Sequence, residues 1–194
     1  MQPLIDPKRS LPRIREVFDG LTSVRHRAVL DVALRHFTLE CETVWDVDEI
    51  MTTLVPEPTY HIWVDGTDVG PKGAAAVHAF YSEAVRSAST FLEFGAERVV
   101  VDDDCAVFEG LVKHVCSGSF ATSMGMTIDG ADALDPDGTY LVVYRNLIII
   151  PVDDGGLMEG EDVYISGPSS VRRLTSDEIP GEYRALVAVP RARE

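Results

Sequence analysis

Basic side chains are scarce in this 194-residue chain: 17 Lys and Arg stand against 32 Asp and Glu, a formal net charge of −15. Non-specific nucleic-acid binding draws on counterion release by clustered Lys and Arg, and anionic lipid surfaces attract the same residues. Neither nucleic acid nor membrane is an expected partner. Long hydrophobic runs are missing too. The longest apolar stretches, such as Leu147 to Val152, fall far short of the ~20 residues that cross a bilayer, and the first residues hold no apolar secretory signal. A cytoplasmic protein is the expectation.

Cysteine is equally sparse. Cys41, Cys105 and Cys116 make an odd count without CxxC spacing, which argues against a disulfide framework or a zinc knuckle and for reduced, mostly buried thiols. No HxH or HExxH segment occurs. Gly70-Pro71-Lys72-Gly73 lacks the spacing and the Ser or Thr of a phosphate loop, and Ser117, Ser119 and Ser123 lack a nucleophile elbow. Asp102, Asp103 and Asp104 lack the EF-hand pattern and read as a solvated turn. Neither a metal nor an organic cofactor is expected.

What the chain does hold is enough apolar material for one core. Hydrophobic residues make up 45%, and a chain of this length buries roughly 70% of its unfolded surface. Pro3, Pro7 and Pro12 punctuate a basic run, so residues 1–22 read as an irregular arm. From Ser23 to about Glu42, Val29, Val32, Ala33, His36 or Phe37 and Glu40 recur at spacings of three and four, the period of an amphipathic helix whose last turn points a His and a Glu toward the buried side. His36 and Glu40 share its last turns and can meet at a separation of four; the plainer reading is a pair on the helix surface.

Asp46, three residues before Glu49, predicts a capped short helix over 47–54, ended by Pro56 and Pro58. Residues 60–64 read as a strand and 73–91 as a third helix. Beyond Gly95 the period changes to two. Strands are predicted at 97–101, 105–118, 139–152 and 157–165. From Gly167 the chain turns polar, except for Tyr183 to Val189, which reads as a docked strand or an arm on a partner. Helices first and long strands after define an α+β class. The sheet is expected to be curved, antiparallel and cone-shaped, wrapped around three N-terminal helices, with a pocket at its mouth. The domain reading is an arm over 1–22, a cone domain over 23–166 and an extension over 167–194.

Several segments in this order carry a family resemblance: Asp46-Val47-Asp48-Glu49-Ile50, Tyr60-His61-Ile62-Trp63-Val64, and Gly73 to Phe80-Tyr81. Glu97 to Val101, Glu109-Gly110, Val143 to Leu147 and Gly160 to Tyr164 complete the series. The chain resembles the nuclear transport factor two-like superfamily, in its SnoaL-like branch, over about residues 23–166. The resemblance implies a cone with a mostly apolar cavity, a hydrophobic small molecule as ligand and dimerisation through the outer sheet surface. It leaves the chemistry open, since members include isomerases, dehydratases and cyclases alongside proteins that only bind or assemble.

In isomerase- and cyclase-like members, an Asp near the end of the first strand acts as general base, and this chain departs from that pattern. Side chains alternate along a strand, so His61, Trp63 and Asp65 share one face and Tyr60, Ile62 and Val64 the other. If the first face looks inward, His61 is a base oriented by Asp65 with Trp63 as wall; if the second does, Tyr60 is the inward polar group. His114 alternates with Ala106, Phe108, Gly110, Val112 and Cys116, an inner-face pattern, and is the second proton-transfer candidate. The expected catalytic set is His61, His114 and Asp65. Tyr60, Trp63, Tyr81 and Tyr144 are the expected substrate-binding walls. The function implied is a cofactor-independent acid–base enzyme of isomerase, dehydratase or cyclase type, and the alternative is a non-catalytic binding or assembly module.

Overall fold

Burial with a period of two decides which side of the sheet is inside. In β4 (Cys105–Ser117) and β5 (Thr139–Pro151), every even-numbered residue from Ala106 to Cys116 and from Tyr140 to Ile150 is buried, while the odd ones are at least partly exposed apart from Val115. The computed structural model of the chain describes residues 3–42, 44–64, 66–123, 134–167 and 170–188. In it β4 and β5 pair antiparallel over their whole length, from Cys105↔Pro151 to Ser117↔Thr139. Such a ladder locks register, because a slip of one residue would turn the apolar face to water.

Around this pair the described strands form one curved, open sheet in the order β2-β1-β6-β5-β4-β3. Outside β4 lies β3 (Leu92–Val101), with a bulge between Ala96 and Arg98. Gly110 faces the start of that bulge, where a Cβ would collide with the Gly95 carbonyl. On the other side β6 (Asp162–Ile165) pairs antiparallel with β5, and β1 (His61–Val64) runs parallel to β6. A short β2 (Thr67–Asp68) folds back on β1. The inner row Phe108↔Ile148↔Val163↔Ile62 is apolar, and the outer row is Arg98↔Glu109↔Leu147↔Tyr164↔Trp63.

Four α-helices come before β3: α1 (Leu11–Gly20), α2 (Val24–Glu40), α3 (Val47–Met51) and α4 (Ala74–Arg86). Ser23 caps α2, and Asp46 caps α3 by accepting from the Glu49 amide at 3.1 Å, which satisfies donors a helix start leaves free. From α2, Val29, Leu30, Val32, Ala33 and Phe37 enter the same core cluster as Phe108, Val112 and Ile150.

The first 22 residues differ from the expected irregular arm. A 3-10 turn (Pro7–Ser10) leads into α1, and Pro7 and Pro12 occupy helix-start positions, where a missing N–H has no partner to lose. Leu11 and Ile14 are buried in the main core. The segment is pinned by the buried Glu93 carboxylate, which accepts from the Asp6 amide, Arg9 and Lys113. The far end is also ordered: β7 (Ser170–Arg173) pairs with β5, and α6 (Gly181–Ala188), a helix where a strand or partner arm was expected, buries Tyr183 and Leu186 against Ile5, Phe91 and Val115. A short α5 (Gly118–Ser123) follows β4.

Gly160 fixes the approach to β6. Its φ is +146°, and a Cβ would overlap the Thr59 carbonyl. On either side, the Thr59 amide donates to the Glu159 carbonyl at 2.8 Å and the His61 amide to the Glu161 carbonyl at 2.7 Å, so Tyr60 and Glu161 come side by side. Gly160→Ala combines strained backbone with a clash against main chain and should destabilise the protein by at least about 1–3 kcal/mol in urea unfolding. Gly20→Ala, with nothing near its Cβ, should stay within about 0.5 kcal/mol. Equal midpoints for the two variants would refute this account of Gly160.

Candidate active site

Six polar side chains meet inside the cone, all buried except for slight exposure of the Glu40 and Glu161 carboxylates, 19% and 11%. His36, on the penultimate turn of α2, is 0% exposed. Its Nε2 faces three oxygens: Tyr81 Oη at 3.0 Å, Glu161 Oε1 at 3.2 Å and Glu40 Oε1 at 3.5 Å. The Glu161 oxygen is close enough for an ion pair but lies out of line for a straight hydrogen bond. Tyr81 Oη lies 3.0 Å from Tyr60 Oη. On the other side of the ring, Nδ1 sits 2.7 Å from Thr53 Oγ1. Glu40 arrives by the four-residue helical repeat, Tyr81 from the buried face of α4, Tyr60 just before β1 and Glu161 just before β6.

Charges buried here hold one another in place. Burial pushes the His36 imidazolium down, but attraction from Glu40 and the close Glu161 carboxylate outweighs it, and its pKa rises from 6.5 to about 10. The Glu161 carboxyl is raised chiefly by burial, with His36 opposing and Glu40 adding to the rise. Both shifts favour retaining protons in the cluster. Burial likewise lifts the Tyr60 and Tyr81 phenols well above 10, so both stay neutral hydrogen-bonding groups.

Trp45 closes the cluster on one side. Its Nε1 donates to the Glu40 carbonyl at 2.7 Å, and its ring meets Tyr81 edge-on with centroids 5.7 Å apart. Beyond it lies an open depression of about 520 Å³ lined by Val44, Trp45, Asp46, Val47, Asp48 and His78. Trp45 thus lines this depression and touches the Tyr81 ring of the cluster.

The expected site residues divide between two faces. Tyr60 and Tyr81 point inward and touch each other. His61 and Trp63 lie on the outer face of β1, where His61 contacts Asp68 Oδ2 at 2.8 Å and Lys72 Nζ at 3.0 Å and stacks on Trp63, which in turn stacks on Tyr164. The period-two geometry of β1 thus selects Tyr60, not His61, as the inward group. Asp65 lies outside the described residues. His114 is buried on the inner face as expected, but its Nε2 donates to the Ser89 carbonyl at 2.8 Å, and burial lowers its pKa to about 4. Among the described contacts, none joins His61 to His114. Tyr144 is buried on the inner face of β5.

His36, Glu40 and Glu161 are the additions. The i, i+4 spacing of His36 and Glu40 was visible in the chain, with an inward pair and a surface pair both open; His36 is fully buried and the Glu40 side chain is 19% exposed. Glu161 carried no local signal. Among the described residues two groups have donor atoms within 4.8 Å of one another, His26 with Asp102 and Asp103, and His36 with Glu40 and Glu161. The first joins His26, at the start of α2, to the exposed turn between β3 and β4; in the second, the imidazole faces both carboxylates.

No family model matches the chain, and no curated protein matches it. Solved structures do. A protein assigned as a SnoaL-like polyketide cyclase from Jannaschia sp. CCS1 is 16% identical, with a TM-score of 0.56 over 75% of this chain and 90% of that one. An NTF2-like protein from Anabaena variabilis ATCC 29413 is 14% identical, with a TM-score of 0.53 over 76% and 95%. A phenazine biosynthesis-related protein from Pseudomonas aeruginosa is 13% identical, with a TM-score of 0.51 over 93% and 96%. The chain has the cone fold of the nuclear transport factor two-like proteins, in the form shared with SnoaL-like proteins. At these identities the likeness defines the fold, and the site must be argued from its own atoms.

The two buried histidines give stability opposite pH slopes. His36, raised when folded, contributes fully below its unfolded value of 6.5 and loses that contribution as pH climbs toward about 10. His114, lowered when folded, contributes fully above 6.5 and loses it as pH falls toward about 4. The contribution of the two histidines together to stability in urea unfolding should be greatest near pH 6.5. The alkaline slope, read below pH 9 where the thiols begin to ionise, should approach about 1 kcal/mol per pH unit, and Glu40→Gln should shift that limb to lower pH. A profile flat from pH 6.5 to 8.5 would contradict the buried imidazolium.

Proposed function

We propose that this protein is a cofactor-independent acid–base enzyme of the isomerase, dehydratase or cyclase type, acting on a hydrophobic small molecule held in the cone. The observation that carries the reading is His36, enclosed with two carboxylates and two phenols. Glu161, with a raised pKa and an oxygen lacking an aligned donor, is the proton-accepting group. The imidazolium holds the developing charge, and Tyr60 and Tyr81 supply neutral O–H donors to a substrate oxygen. Similarity in fold to proteins assigned as polyketide cyclases from Jannaschia sp. CCS1 and Shewanella denitrificans OS-217 supports the same class of chemistry. The depression beside Trp45 is the route in.

A cyclase or isomerase of this kind removes a proton from carbon beside a carbonyl, so hydrogen–deuterium exchange at the acidic C–H of 2-tetralone in D₂O, followed by proton NMR, tests the reading. The protein should accelerate exchange. Glu161→Gln and His36→Gln should each lower the rate about a hundredfold or more, while His61→Ala leaves it unchanged. The enclosure of the cluster favours a second reading, a binding module whose polar core is structural. A hydrophobic ligand that binds and is recovered without exchange would establish that reading and sink the first.

The outer sheet face carries a further part of the proposal, a second copy of the chain. Leu147, Tyr164 and Val100 are partly exposed there, at 36%, 43% and 59%, and the Trp63–Tyr164 stack stands among them. Light scattering after gel filtration should give twice the chain mass of 21.3 kDa, and Leu147→Glu should give a single chain. A wild-type monomer would remove the dimer from the account.

A further inference from the structure

The buried histidine has two nitrogens, and the hydrogen bonds around it distinguish them. Thr53, in the turn after α3, is 0% exposed. Its hydroxyl has one proton to give, and Oγ1 lies 2.7 Å from the Ile50 carbonyl oxygen. A carbonyl only accepts, and two oxygens this close without a proton between them repel, so the hydroxyl proton lies on the line to Ile50. The same Oγ1 lies 2.7 Å from His36 Nδ1. With its proton engaged, Thr53 meets Nδ1 as an acceptor, and Nδ1 must carry a hydrogen.

We infer that Thr53 is a positioning residue that keeps a hydrogen on His36 Nδ1, so that Nε2 alone gains and releases the proton exchanged within the cluster. Nε2 is the nitrogen turned toward function. From α2 it faces the Glu40 carboxylate, from α4 the Tyr81 hydroxyl and from the segment before β6 the Glu161 carboxylate, with Tyr60 behind Tyr81. On the Nδ1 side the described polar contact is Thr53, itself anchored to the backbone of α3. A fixed second nitrogen is how proteins set the tautomer of a working histidine. Here the anchor is a neutral hydroxyl, which orients the ring without adding a third negative charge.

The consequence is directional. An imidazolium losing its proton from Nε2 passes it to the Glu161 or Glu40 carboxylate, and the neutral ring that remains presents an Nε2 lone pair to the Tyr81 hydroxyl. Loss from Nδ1 would instead strand a lone pair against the lone pairs of Thr53. The inference about the tautomer stands on geometry alone; its catalytic meaning rests on the acid–base reading above.

Long-range proton–nitrogen correlation spectra of histidine-labelled protein, recorded from neutral to alkaline pH without any substrate, test it. In the wild type, the neutral form of His36 should show a protonated Nδ1 and an unprotonated Nε2. Thr53→Val keeps the side-chain shape and removes the acceptor. It should move the neutral ring to the Nε2-protonated tautomer and lower the pH of its titration by about one unit, while Thr53→Ser restores the wild-type pattern. A purely structural Thr53 would change the unfolding midpoint and leave the tautomer where it was. A wild-type neutral ring protonated at Nε2 overturns the inference, as does a Thr53→Val spectrum identical to wild type. The wild-type spectrum decides even if Thr53→Val fails to fold. Because no substrate is involved, failed 2-tetralone exchange with an Nδ1-protonated ring would count against the proposed activity and leave the role of Thr53 intact.

Discussion

An ionised ring buried in an apolar core is the constraint around which the cone is organised. Taking the His36 imidazolium out of water is costly unless charge and hydrogen bonds replace its hydration. The replacements come from widely separated parts of the chain: Glu40 from its own helix, Tyr81 from α4, Thr53 from the turn after α3 and Glu161 from the entry to β6. Each partner is held by further backbone contacts, Thr53 through Ile50 and Glu161 by the close passage of Gly160 under Thr59. The polar cluster therefore specifies how helices and sheet edge meet, a task that interchangeable apolar contacts perform less selectively.

Much of the fold was legible in local pattern. The alternation of β4 and β5 assigned an inner face that the structure reproduces, and the Asp46 cap lies where the spacing placed it. The first 22 residues were harder because proline reads as a breaker, yet at the first positions of a helix it costs no hydrogen bond. What ordered the segment was Glu93, more than 80 residues away along the chain, whose carboxylate gathers the Asp6 amide and Arg9. No window-based pattern contains such a contact. The last helix is similar, since its apolar residues find their partners in Ile5, Phe91 and Val115.

The site was legible only in fragments. Tyr60 and Tyr81 were named as wall residues, and alternation left two faces of β1 open without choosing between them. Register with β6 chose: Ile62 pairs with the buried Val163, and Trp63 with the exposed Tyr164. His36 and Glu40 were adjacent on the helix, but the third member of their charge cluster, Glu161, comes from more than 100 residues away, and periodicity supplies faces without distances. His114 shows the converse, a histidine with the right inward pattern whose nitrogen is satisfied by a carbonyl and whose charge burial suppresses.

Enclosure is what separates chemistry from architecture here. A base sealed from its substrate performs no turnover, so the activity proposed for this cluster requires an opening, and the local structure narrows where that opening lies. The core on the sheet side is filled by Phe37, Phe94 and Phe108, whose rings contact one another, and moving them would disturb the central strands. Trp45 is different. It belongs to the short segment between α2 and α3, follows the exposed Val44 and borders the depression. Its contacts inward include the hydrogen bond to the Glu40 carbonyl and the edge of Tyr81. Swinging that ring outward would leave the strand pairing untouched and would release its contact with the Tyr81 ring. The hydrogen bond such a swing would break is to the backbone carbonyl of Glu40, the residue whose carboxylate faces His36.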